Sequence, residues 1–317
     1  MLRVVGVVIC AAGVLSLSQD AVGEAKRKRE RKVELPPNVE MKRDVVYGKG
    51  GGRDLKLDLF VPKGGPTPRP GIVFVHGGGW KGGNRRQFHR QAAYLAGKGY
   101  VGACIEYRFS GEAKFPAALE DCKCAVRWMR ASAKTYQIDP NRIAACGGSA
   151  GGHLAAMVGV TEASHGFEGK GGHEGLSSRV QLVVNFNGVS DLDELGRNRP
   201  LKNAIQMFLG PTHPENPKLY VLASPITHID AKDPPSLFLH GTADKTVPFE
   251  QSVAMMKKLQ GVGVAAEMYE AKGAGHGFFN RPPHFEPTLK RMEAFLDKHF
   301  RGKGKSRSDA SKATPKR

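Results

Sequence analysis

Residues 146–153, Cys146-Gly147-Gly148-Ser149-Ala150-Gly151-Gly152-His153, decide the fold. An apolar strand-like run, Arg142 to Cys146, leads into them, and a helical pattern from Ala150 to Val160 leaves them. A Gly-x-Ser-x-Gly string between strand and helix reads as a nucleophile elbow, a turn tight enough to force strained backbone angles on its serine. The flanking glycines remove side chains that would clash, and the turn pushes the Ser149 hydroxyl into the open. The helix behind it aims free amides and a partial positive charge at any anion formed there.

A hydroxyl nucleophile needs a base, an acid and donors for the oxyanion it creates. The apolar run Ile72 to Val75 ends in His76-Gly77-Gly78-Gly79-Trp80, where successive glycines let the main chain approach a reacting oxygen. The expected donors are the amides of Gly78, Gly79 and Ala150, with Gly77 as a substitute for one of the first pair. A phosphate-cradling loop is excluded, because both the Lys-Ser/Thr ending of a P-loop and dinucleotide spacing are missing. Later in the chain, Leu237 to Asp244 is a strand entering a turn, and Gly275-His276-Gly277-Phe278 follows the strand-like Ala266 to Ala271. The order Ser149, Asp244, His276 is that of nucleophile, acid and base in an elbow fold. Asp191 and Asp193 compete for the acid, and His240, His228 and His284 for the base. His76 reads as a brace of the glycine loop, and His153 as a hydrogen-bonded neighbour of the elbow.

Outward from these motifs the chain alternates strands and helices. Residues 55–61 alternate apolar and polar, as a half-buried strand does, while 71–75, 101–107, 143–146, 182–186 and 237–239 are continuous apolar runs suited to parallel strands covered on both faces. Helical stripes lie between them: Leu119, Cys122, Val126, Met129 and Ala133 within 116–134, a second after Pro248, and a third over 287–300. The expectation is an α/β fold, one domain over residues 45–300, with a mostly parallel sheet of about eight strands flanked by helices. Residues 162–178 are Gly-rich loop, and 197–220 form an excursion with short helices.

The chain's 48 Lys and Arg against 30 Asp and Glu leave a net charge of +18, and location decides what that means. Residues 26–32 (KRKRERK) and 301–317 carry eleven of the eighteen charges. Flanking stretches of this kind are solvated segments, here a basic linker (26–44) and a disordered basic tail (301–317). Without aromatic residues to stack on bases they do not predict nucleic-acid binding, only loose attraction to an anionic surface. Arg3, the apolar run Val4 to Leu17 and the small-residue site Ala21-Val22-Gly23 describe a secretory signal peptide over 1–25. The expected location is therefore secreted or periplasmic, an uncleaved membrane anchor being the competing reading. Cys104, Cys122, Cys124 and Cys146 read as buried thiols; Cys122 and Cys124 point about 200° apart on a helix and cannot clamp one metal. No HExxH or CxxC spacing occurs, so neither metal nor cofactor is expected.

HGGGW, Glu106 to Arg108, Phe115 to Asp121, Ile138 to Ile143, GGSAGGH, the DPPSLFLHGTADKTVP stretch and GHGF occur together and in order between Val45 and Phe300. In this the chain resembles the α/β-hydrolase superfamily, and within it hormone-sensitive-lipase-like carboxylesterases and bifunctional feruloyl and acetyl-xylan esterases. The resemblance implies hydrolysis of carboxylic esters on a small molecule or polysaccharide, with nucleophile Ser149, acid Asp244, base His276 and an oxyanion loop at Gly78 and Gly79. Cys146 departs from the aromatic or small apolar residue usual before the elbow, and the basic extensions are not part of the family pattern.

Overall fold

A computed structural model describes residues 33–197 and 201–302. The leader (1–25), residues 26–32 of the linker and 303–317 of the tail lie outside the described residues. The chain divides at Glu34/Leu35, and the unit from Leu35 onward holds every element below. Its strands are β1 (Val39–Gly50), β2 (Arg53–Pro62), β3 (Arg69–Val75), β4 (Val101–Ile105), β5 (Ile138–Gly148), β6 (Leu182–Phe186), β7 (Ser236–Gly241) and β8 (Ala266–Ala271). The helices are α1 (His89–Gly97), α2 (Ala117–Ala131), α3 (Ala133–Tyr136), α4 (Ala150–Val160), α5 (Leu192–Arg197), α6 (Lys202–Leu209), α7 (Pro217–Leu222), α8 (Phe249–Gly261) and α9 (Phe285–Phe300).

All eight strands form one sheet in the order β1-β2-β4-β3-β5-β6-β7-β8. β2 runs antiparallel to both neighbours, and the six strands from β4 to β8 in that order are parallel, so the sheet is mixed but mostly parallel, as the alternating pattern predicts. Every residue of β3, β4, β6 and β7 is buried, which is why these strands read as unbroken apolar runs. One face packs Val73, Val75 and Ala145 against Leu154 and Met157 of α4. An aromatic stack of Phe74, Phe88, Phe279 and Phe186, with neighbouring ring centroids 4.7–5.7 Å apart, also lies in the interior. Each such ring contributes about 1.5–3 kcal/mol through burial alone.

Two expectations need correction. The domain starts at β1, so residues 39–44 are strand and not linker. That strand, VEMKRDVVYGKG, is an edge with most side chains at least partly exposed, so backbone pairing with β2 holds it and no apolar period announces it. The polar face of β2 is solvated only at its start: Asp54 is exposed and Lys56 partly so, but Asp58 is 3% exposed. His89 of α1 meets its carboxylate at 2.9 Å and the Asp44 amide donates to it at 3.1 Å. Burial opposes the Asp58 charge, yet these bonds and Arg85 hold its pKa below the usual range.

Candidate active site

β5, β6, β7 and β8 are parallel, so their C-terminal ends emerge along one edge, and the loops leaving them converge there. Ser149 leaves β5 with φ +56° and ψ −123° and its N–H bonded to Phe186 O at 2.9 Å, while α4 begins at the next residue. The backbone is left-handed at a residue with a side chain, the strain expected of an elbow. Gly151 is required by close approach: a Cβ there would stand 2.1 Å from Val75 O and 2.5 Å from His76 O.

His276, in the loop after β8, lies with Nε2 3.0 Å from Ser149 Oγ and Nδ1 2.7 Å from Asp244 Oδ2. Asp244, in the turn after β7, has a fully buried side chain. Its Oδ1 accepts the N–H groups of Thr246 (2.8 Å) and Val247 (3.0 Å). Its Oδ2 faces His276, Asn187 Nδ2 at 3.1 Å and His240 Nε2 at 3.4 Å. Burial alone would raise this carboxyl, but the bonds from His240, His276 and Thr246 outweigh it and hold Asp244 far below the usual carboxylate range. A base with an ionised acid behind it and a serine hydroxyl in front can accept one proton and pass it on.

The glycine loop after β3 lies against the elbow: a Cβ on Gly77 would stand 3.2 Å from Ser149 Cβ. Gly77 N–H is already bonded to Gln87 Oε1 at 2.7 Å, which removes it as the substitute donor. The amides of Gly78, Gly79 and Ala150 have no protein acceptor among the described residues. Gly78 adopts φ +128°, a region L side chains rarely enter. Trp80 anchors the far end of the loop, stacked on Phe208 of α6 at 4.8 Å and donating Nε1–H to His153 Nδ1 at 3.1 Å.

The competing residues are engaged elsewhere. Asp191 Oδ1 accepts Glu194 N–H, and Asp193 holds Arg197 and His213. His228 contacts Leu222 O, and His284 packs on Phe278. His240 is buried, with its ring nitrogens on Ser252 Oγ (2.7 Å) and Val247 O (3.0 Å). His153 also contacts Ala223 O at 2.8 Å, and burial pushes its pKa down to about 4. His76, bonded to Gly77 O and stacked on Tyr107, is likewise lowered by burial to about 4. Cys104, Cys122, Cys124 and Cys146 are buried free thiols, and burial raises Cys146 well above the ordinary thiol value. Sequence reasoning missed Gln87 and Asn187. Only the asparagine directly after an apolar strand hinted at a left-handed turn there.

An eight-stranded mixed sheet with a serine on the strand-to-helix turn after its fifth strand, and with an aspartate and a histidine in line with it on the loops after the seventh and eighth, is an α/β-hydrolase. The BD-FAE family model matches residues 57–259, and the chain belongs to that family. Esterase LipC of Mycobacterium tuberculosis is 34% identical over 245 residues, covering 75% of this chain and 60% of LipC. The chain thus spans little more than half the length of the curated relatives it matches. Among solved structures, a truncated carbohydrate esterase from gut microbiota superposes with TM-score 0.74 at 28% identity, covering 84% of this chain and 99% of that one. The propionate-bound esterase Est2 of Thermogutta terrifontis superposes with TM-score 0.71 at 33% identity, covering 85% and 97%.

Proposed function

We propose that this protein hydrolyses carboxylic esters through a covalent acyl-enzyme. The observation that carries this is the continuous hydrogen-bonded line from Ser149 through His276 to the buried Asp244. In the first step Ser149 Oγ attacks the ester carbonyl carbon as its proton passes to His276 Nε2. The carbonyl oxygen becomes an oxyanion facing the amides of Gly78, Gly79 and Ala150. Collapse breaks the bond to the alcohol oxygen, which takes the proton from His276 and leaves. Water then gives His276 a proton, attacks the acyl carbon and releases the acid with Ser149 restored. Asp244 stays ionised throughout, holding the imidazole tautomer and stabilising the imidazolium.

The carbohydrate esterase and the propionate-bound esterase among the solved relatives support short acyl or carbohydrate-linked esters as substrates, of acetyl or feruloyl type. The apolar run Val4 to Leu17 supports export, and the basic stretches at 26–32 and 301–317 support loose attachment to an anionic surface. The test is hydrolysis of p-nitrophenyl acetate, acetylated xylan and feruloyl sugars by wild type and Ser149→Ala. Wild-type turnover abolished in the variant is the expected result; equal rates would sink the assignment.

A further inference from the structure

Asn187 sits one residue beyond β6, between the two strands that lead to nucleophile and acid. The preceding carbonyl, Phe186 O, receives Ser149 N–H, and Asn187's own N–H bonds Leu239 O of β7, each at 2.9 Å. Its side chain is fully buried and its backbone left-handed, with φ +40°. Nδ2 lies 3.1 Å from Asp244 Oδ2 and 2.9 Å from His276 Nδ1, while Oδ1 has no partner among the described residues.

Building on the ester-hydrolase reading, we propose that Asn187 is a positioning residue for the acid–base pair: its amide N–H holds Asp244 Oδ2, and through that carboxylate fixes the orientation and tautomer of His276. The donor logic settles which end of the amide faces the acid. A reversed amide would set Oδ1 against Oδ2, acceptor against acceptor. In the tautomer that leaves Nε2 free to accept the serine proton, His276 Nδ1 carries a hydrogen. Nδ1 and Nδ2 are then two donors converging on one oxygen, not partners of each other. With Thr246 and Val247 on Oδ1, the carboxylate is held at both oxygens and cannot swing away from the ring. A left-handed non-glycine backbone and an unpartnered buried carbonyl are both locally unfavourable. They persist here because the same geometry delivers the donor end to the acid. The titratable groups facing this carboxylate are His276 and His240, with Ser149 beyond His276.

Two variants separate this role from simple packing. Asn187→Gly deletes the amide while relieving the backbone, and should lower kcat about 10- to 100-fold with KM within about twofold, since misoriented reacting groups act on the chemical step. Asn187→Asp keeps shape and turn preference but replaces the donor with a carboxyl. Two buried carboxyls about 3 Å apart share one proton, so the pH profile of kcat/KM should acquire an additional ionisation that wild type lacks. A third readout needs no turnover: the low-field proton resonance of His276 Nδ1–H should shift or broaden in Asn187→Gly. Wild-type rates in Asn187→Gly, a pH profile of Asn187→Asp that superposes on wild type, or an unchanged resonance would each overturn the proposal. If wild type shows no Ser149-dependent hydrolysis, the ester reading fails by itself, and the resonance comparison still decides whether Asn187 positions the pair.

Discussion

Asp244→Asn offers the sharpest test of the catalytic geometry, because the structure dictates which way the new amide must face. Two backbone amides, Thr246 and Val247, point at the Oδ1 site at 2.8 and 3.0 Å, so only an acceptor fits there. The Nδ2 of the substituted side chain is therefore forced into the Oδ2 site, 2.7 Å from His276 Nδ1. An N–H directed at Nδ1 makes Nδ1 the acceptor and moves the imidazole proton to Nε2, where it points at Ser149 and cannot accept the hydroxyl proton. The imidazolium also loses its counter-charge. A wrong-tautomer triad of this kind loses about four orders of magnitude in kcat, equivalent to about 5 kcal/mol of transition-state stabilisation. The assay is steady-state hydrolysis of p-nitrophenyl acetate by wild type and variant, with thermal unfolding run alongside to show that both are folded. A folded variant with less than a tenfold loss in kcat would refute the assignment of Asp244 as the acid.

Two further outcomes follow from packing and burial. Folded His153 and His76, with pKa values lowered to about 4, refuse a proton that the unfolded chain takes up near pH 6.5, so stability rises with pH between about 4 and 6.5 and is lost on acidification through that window. At pH 5 each imidazole should withdraw about 2 kcal/mol relative to pH 7, and His153→Gln should remove its share. Unfolding midpoints that match at pH 5 and pH 7 would contradict this. Gly151→Ala drives a methyl into Val75 O and His76 O and should destabilise by about 3 kcal/mol or more. An unchanged melting temperature would show that the elbow has room the structure does not give it.

Much of the site was legible because its signals are local. Ser149 is announced by the glycines either side of it, and Gly151 is glycine because a carbonyl of the neighbouring strand passes 2.1 Å from where its Cβ would be. Asp244 and His276 follow strand-like runs, and the order along the chain matches the parallel sheet that brings their loops together. The buried strands were readable for the same reason: covered on both faces, they can hold little that is polar.

By itself the sequence determined the α/β alternation, the strand–turn–helix at Ser149, the chain order of Ser149, Asp244 and His276, and the glycine loop after β3. Only the tertiary structure decided which loop amides remain open, because Gln87, ten residues from Gly77, takes that amide out of play. It also brought β1 into the sheet through backbone pairing that no side-chain period records. Asn187 became a partner of Asp244 only when β6 and β7 paired side by side, whereas His240 stands four residues before it on β7 itself. Local strain and periodicity are written in neighbouring residues, as are the Thr246 and Val247 bonds to Asp244, whereas its bonds to His276 and Asn187 join groups 32 and 57 residues apart and exist only once the sheet has formed.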